Sequence, residues 1–240
     1  MSINSEWLIT ALATFFITGF ALFSYRHLPV IDFRPYKIGA NIPEGMAIPA
    51  DAPPSVYEQY FTLLDTVSGK KVSIESNIYV NDSTYWKKGT TWKFISTTEP
   101  VLVKRGYQPA IHDFSISSLS GEDITGKVLT DTGYYFIVVA YDLKKSEIKY
   151  QPEINSLYNK AVADNNKFIC LTAVTDSEIE QFKIAHNAVY DFYITDQITL
   201  KTIIRANPGL IILHKGIIIA KWASNDIPDY NKIKKKYLKK

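Results

Sequence analysis

The chain has 240 residues, with 27 Lys and Arg against 24 Asp and Glu, a formal net charge of +3. That length holds one membrane segment plus one or two small domains, and so slight a basic excess gives no reason to expect a nucleic-acid partner. A single cysteine, Cys170, excludes an intrachain disulfide and a cysteine-zinc site built from this chain alone.

Trp7 to Tyr25 carries no charged residue over 19 positions. As a helix it spans about 28 Å, close to the hydrocarbon thickness of a bilayer. Trp7 and Tyr25 stand at its ends, where aromatic belts lie. A cleaved secretory signal would need basic residues before the apolar run and a small-x-small site after it. Met1–Glu6 has no Lys or Arg, and no such site follows. An uncleaved single-pass anchor is expected, making the membrane the first partner. Arg26, His27, Arg34 and Lys37 follow the helix, which by the positive-inside rule favours a cytoplasmic domain, although long domains translocate regardless of charge.

Arg26 to Pro54 contains Pro29, Pro35, Pro43, Pro49, Pro53 and Pro54. Proline at this density excludes a helix or a central strand, so the segment is expected to be extended. Its Val30, Ile31, Phe33 and Tyr36 suggest that it follows a surface, either the membrane interface or another protein. Tyr57 to Val103 reads as β structure, with a hairpin turning at Ser68-Gly69-Lys70 and strands at Thr91–Ile95 and Val101–Val103.

From Gly106 strands and helices alternate. Phe114–Ile116 reads as a short strand, and Tyr134–Tyr141 as a strong one rich in β-branched and aromatic residues. Pro152–Asn165 has the apolar spacing of a helix. Phe168–Ala173 is a buried strand. Asp176 is the expected cap of a helix over Ser177–His186, and Thr199–Ala206 a third helix. Leu210–Leu213 and Ile217–Trp222 form a hairpin around His214-Lys215-Gly216, with glycine suited to a positive-φ position, and a last helix follows Pro228. This alternation predicts an α/β domain with a central mixed sheet covered by helices.

Several of these residues together resemble the thioredoxin-like superfamily, in particular its TlpA and peroxiredoxin-like branch. They are Pro109-Ala-Ile-His-Asp113-Phe114, the Gly121 turn, the strand Tyr134–Tyr141, and Pro208 eight residues before Gly216. The resemblance covers about 135 residues, 106–240. It implies a thioredoxin-like domain with Asn207-Pro208 joined by a cis bond and facing the segment after Tyr134–Tyr141. Where that family carries paired cysteines or a peroxidatic cysteine, this chain reads Ala140-Tyr-Asp-Leu-Lys-Lys-Ser-Glu-Ile148. Thiol chemistry at that place has no thiol to use, and Ser146 has no histidine near it in sequence to activate it. No catalytic residue and no cofactor is expected there. Tyr141, Asp142, Asn207 and Pro208 are expected to form a binding groove left over from the active site, able to pair with an extended peptide by strand addition.

Tyr25 to Gly45, directly after the membrane helix, looks like the junction in bacterial DoxX-type membrane proteins, where a multi-helix domain precedes a thioredoxin-like region. That resemblance implies a bacterial cell-membrane protein with a periplasmic domain, and a DoxX-type partner. The expected segments are an anchor at 1–28, a juxtamembrane linker at 29–56, a β-rich subdomain at 57–105 and the thioredoxin-like domain at 106–240.

Other signals are weaker. Cys170 sits among apolar neighbours and reads as a buried, inert thiol. His27, His112, His186 and His214 have no metal-ligand spacing. Asp113, Asp142, Glu147 and Asp191 would carry acid/base chemistry only if the fold brought them together and burial separated their pKa values. The tail Lys232–Lys240 is basic, and either ends a solvated helix or touches an anionic membrane surface. Asn81-Asp-Ser83 fits the N-glycosylation pattern, which is common by chance. The leading expectation is a membrane-anchored, redox-inactive binding or accessory module. The alternative is an enzyme using carboxylates or an external cofactor at the degenerate site, and the plainest option is a structural tether.

Overall fold

A computed structural model describes residues 5–238. Two compact units emerge: residues 1–47 with 110–240, and residues 48–109. The proline-rich segment after the N-terminal apolar helix is divided between them, its residues up to 47 belonging to the α/β unit.

The first unit begins with helix α1 (Ser5–Arg26). It is long and apolar enough to cross a membrane, and none of its apolar window is buried against protein. A helix that is apolar all round and packs on nothing has no soluble core to hide in. Two of its hydroxyls are satisfied within the helix, Thr10 Oγ1 donating to Glu6 O at 2.9 Å and Thr14 Oγ1 to Thr10 O at 2.8 Å. The expectation that the proline-rich segment is extended throughout fails at a short helix α2 (Ile42–Met46), which Asn41 caps and which tolerates Pro43 because that proline lies in its first turn, where no intrahelical N–H bond is lost.

The second unit holds strands β1 (Val56–Glu58), β2 (Tyr60–Asp65) and β3 (Lys71–Glu75), helix α3 (Ser76–Asn81), and strands β4 (Trp92–Thr97) and β5 (Val101–Lys104). They form an antiparallel sheet of order β3-β2-β4 and a β1-β5 pair. The β2–β3 hairpin turns at Gly69, whose φ is +70°. Leu63 is the fully buried apolar side chain of this unit, while the edge-on ring of Tyr79 and that of Phe94 pack on Phe61.

The first unit resumes with α4 (Thr125–Thr130), β6 (Tyr134–Val139), α5 (Gln151–Ala163), β7 (Lys167–Thr172), α6 (Asp176–His186), β8 (Asp191–Ile194), α7 (Gln197–Ile203), β9 (Gly209–His214), β10 (Ile217–Ala223) and α8 (Tyr230–Tyr237). The sheet order is β10-β9-β6-β7-β8. β6, β7 and β8 run parallel, and β9 and β10 are antiparallel to their neighbours. Side chains alternate across a strand, so the unbroken apolar runs of β6, β7 and β9 need cover on both faces. Phe136, Val138, Cys170 and Ile212 meet α5, α6 and α8 on one face. Ile137, Val139, Leu171 and Ile211 meet α4, α7, Tyr36 and Ile42 on the other.

Three local expectations are corrected. Phe114–Ile116 is not a strand. Ile116 N donates to Thr125 Oγ1 at 2.8 Å, and only Ser117 bridges, to Asp123 and Ile194. The cap of α6 is Thr175, and Asp176 is already helical, where its charge complements the helix dipole. α7 starts earlier than expected because Asp196 Oδ1 accepts from Thr199 N at 2.9 Å, and ends at Ile203 because Ile204 is extended. The β9–β10 turn matches its expected chemistry, with Lys215 and Gly216 at φ +51° and +74°.

Candidate functional site

At the C-terminal end of β6, Ala140 N still donates to Leu171 O at 2.9 Å, and the chain then leaves the sheet. Asp142 caps a 3-10 turn, its Oδ1 accepting from Lys145 N at 3.2 Å and its Oδ2 pairing with Lys145 Nζ at 3.1 Å. Burial alone would raise the Asp142 pKa. The hydrogen bonds and charge of Lys145 outweigh it and hold the carboxyl below its ordinary value. Leu143 is buried and anchors the turn. Ser146, Glu147 and a second 3-10 turn then lead into α5.

Facing this loop is Asn207-Pro208, and its peptide bond is cis, as expected from the sequence. Asn207 Nδ2 donates to Asp142 O at 2.7 Å, and Glu147 N donates to Asn207 O at 3.0 Å. The fold is thioredoxin-like. Its features are the strand order, the three parallel strands followed by the antiparallel hairpin, and the cis-proline opposite the loop after β6.

No family model and no curated protein matches the chain. Among solved structures it is similar to the thioredoxin domain of a thiol-disulfide oxidoreductase from Bacteroides vulgatus, at 15% identity and TM-score 0.40, covering 51% of this chain and 91% of that one. It is similar to StoA from Bacillus subtilis, at 17% identity and TM-score 0.39, covering 51% and 93%. A thiol-disulfide oxidoreductase from Bacteroides fragilis gives 14% identity and TM-score 0.40, covering 51% and 96%.

Of the four residues expected to form a groove, Asp142 and Asn207 are joined directly by their 2.7 Å hydrogen bond, and Tyr141 and Pro208 are their chain neighbours. Pro208 is buried, and Tyr141, Asp142 and Asn207 are only partly exposed. The Asn207 carbonyl, which an extended peptide would need, already accepts from Glu147. Asn207 Oδ1 is buried and has no partner among the described residues. At one end of each outer strand of the five-stranded sheet the chain also pairs with itself. Gly39 N donates to Ile218 O at 2.7 Å and Ile218 N to Ala40 O at 3.0 Å along β10. Ser117 and Ile194 exchange hydrogen bonds of 2.9 and 2.7 Å along β8.

The four carboxylates do not converge. Glu147 reaches the loop through its backbone, while its side chain pairs with Lys149 at 3.2 Å in solvent. Asp113 lies beside α7, with its carboxylate 2.9 Å from His112 and exposed. Asp191 begins β8, at the opposite end of the parallel strands from Asp142. Cys170 is buried at the centre of β7, and burial pushes its thiol pKa far up. Among the described residues no group of three potential ligands gathers for a metal ion.

The sequence reasoning missed how the end of α1 and the segment after it meet this end of the sheet. A cavity of about 720 Å³ is lined by Tyr25, Arg26 and His27 on one side and Glu147, Ile148 and Tyr150 on the other. His27 Nδ1 lies 2.7 Å from Asp226 Oδ1, and its ring stacks on Phe23. Asp32 pairs with Arg34 and with Lys221, whose Nζ also donates to Tyr36 O at 2.8 Å. One signal was visible: Lys221 interrupts an apolar strand, and a buried lysine requires an anion.

Proposed function

We propose that the chain is a membrane-anchored, redox-inactive thioredoxin-like module that acts by binding, as an accessory subunit of a DoxX-type membrane complex in the bacterial cell membrane. One observation carries the reading. The loop between β6 and α5 has no thiol, and it is closed onto the cis-proline by Glu147 N to Asn207 O and Asn207 Nδ2 to Asp142 O.

The enzyme alternative is less well supported. Acid catalysis at neutral pH needs a carboxyl with a raised pKa, whereas Asp142 is held low by Lys145. Peptide capture at Asn207 is likewise disfavoured, because the backbone carbonyl is taken. The surface left for a membrane partner is the end of the domain next to α1. The resemblance of Tyr25–Gly45 to the DoxX junction supports a partner of that kind and a periplasmic domain.

The test is purification of the full chain from detergent-solubilised membranes, with disulfide-reductase and peroxidase assays on the product. Recovery of a multi-helix membrane partner and no turnover is expected. Turnover that disappears in Cys170→Ser overturns the redox-inactive reading, and a partner-free monomer overturns the accessory-subunit reading.

A further inference from the structure

A groove of about 320 Å³ runs between the last turns of α1, the segment that follows it, and the loop before the cis-proline. Its walls are Phe20, Phe23, Leu28, Val30 and Ile31, and the single cation on it is Arg205. Arg205 is exposed and has no hydrogen bond or ion pair with any described residue. The chain just beyond α1 is unusually apolar for a water-facing loop, with Val30 83%, Ile31 66% and Phe33 90% exposed. Val30 and Ile31 stand four and five positions past Arg26 and line the groove together with Phe20 and Phe23 of α1. In a wholly aqueous setting Val30, Ile31 and Phe33 would all stay uncovered.

We infer that this groove holds one anionic phospholipid, its acyl chain against Phe20, Phe23, Val30 and Ile31 and its phosphate on the Arg205 guanidinium. The inference rests on the reading of α1 as a membrane anchor. Continuity with that helix selects lipid as the occupant, because the groove opens at the depth where headgroups begin. The chemistry fits both ends of the molecule. Aromatic and branched side chains match an acyl chain, and a guanidinium donates two parallel hydrogen bonds to a phosphate where a lysine offers only a point charge. Arg205 precedes Asn207 by two residues, so a bound headgroup sits beside the loop that closes the former active site.

The test uses the full chain in phosphatidylglycerol nanodiscs, released into mild detergent and weighed by native mass spectrometry. One retained phosphatidylglycerol per chain is expected. Arg205→Gln should lower retention by at least about tenfold, as loss of a charge-assisted hydrogen bond predicts, and Ile31→Asp should lower it through the apolar wall. Arg105→Gln, an exposed arginine of the second unit, should leave it unchanged. Glycerol phosphate or inorganic phosphate at millimolar concentration should not displace the lipid; displacement by either would make this a soluble-anion site and overturn the proposal. Equal retention by the wild type and Arg205→Gln overturns it as well. Alkaline extraction of the membranes separates this failure from the other. A chain released by carbonate refutes the anchor itself, whereas a chain that stays in the membrane yet keeps its lipid without Arg205 refutes only the lipid site.

Discussion

Lys221 Nζ lies 2.8 Å from Asp32 Oδ2, joining residues 189 apart in the chain, with 2% of the lysine side chain exposed. The pair fastens the segment after α1 to the outer strand of the sheet, and Arg34 completes it through 2.8 and 3.0 Å hydrogen bonds to the same carboxylate. The segment after α1 is therefore tied to the α/β unit at Asp32, six residues beyond the helix end.

Removing one partner should cost more than replacing the other with an apolar side chain. Asp32→Ala leaves a buried ammonium with only Tyr36 O, and should destabilise the full chain by about 2 kcal/mol, less than for a fully buried pair because Asp32 is 17% exposed. Lys221→Met keeps the volume and leaves Asp32 its Arg34, so it should cost under about 1 kcal/mol. Denaturant titration in detergent measures both, and the reverse order would sink this account.

The same pair sets an acid limit. Burial alone would raise the Asp32 pKa, but its hydrogen bonds to Arg34 and Lys221 outweigh that and hold it well below the carboxylate range. A carboxyl with a depressed folded-state pKa stabilises fully above its unfolded value of about 3.9, and that contribution is lost as pH falls through the folded value. Lys221 is pulled below its ordinary value by burial, with Asp32 opposing, so its own titration acts on the alkaline side. Amide protection at Gly39 and Ile42, which donate to Ile218 O and Gly216 O, should fall from about pH 4 downward, before protection in β6. Unchanged protection at those two amides down to pH 2 contradicts the assignment.

Gly216 tests the contact from the turn side. A Cβ there would stand 2.7 Å from Pro43 Cδ at a φ of +74°. Gly121 has a similar φ, +87°, and open space around it. Gly121→Ala should cost about 1 kcal/mol from backbone conformation alone. Gly216→Ala should cost about 1–3 kcal/mol more and loosen residues 39–42. Equal melting temperatures for the two variants would show that Pro43 does not press on the turn.

At the closed loop, Asn207→Ala loses the hydrogen bond to Asp142 O but also removes an unpaired buried oxygen, so about 1 kcal/mol is expected. Asn207→Asp keeps the shape and turns an acceptor toward that carbonyl, and should cost about 2–3 kcal/mol. Thermal unfolding ranks the two, and an aspartate variant as stable as wild type would rule out the assigned orientation of the amide.

Cys170 should not react with a thiol reagent in the folded protein and should react fully once unfolded, since its thiolate is disfavoured by burial. Native labelling at the unfolded rate would place the thiol at the surface.

Much of this architecture was legible in the residues. The apolar runs of Tyr134–Val139 and Leu210–Leu213 announced strands covered on both faces, and Lys215-Gly216 announced the hairpin. β8 was not legible, since four residues between a left-handed Asn187 and the Asp196 cap carry too little pattern. The four carboxylates could be named but not placed, because the direction of β8, which sends Asp191 to the far end from Asp142, is a property of the sheet.

By itself the sequence determined that thiol chemistry is missing from Ala140–Ile148, that an apolar helix precedes the domain, and that a proline opens the last hairpin. Those are statements about composition and near neighbours. Only the tertiary structure decided that Asp32 reaches Lys221, that Glu147 and Asn207 close the loop, and that Gly39–Asn41 and Ser117 pair with the outer strands. Each of these joins segments whose spacing leaves no periodic trace, so their pairing exists only once the strands have set the register.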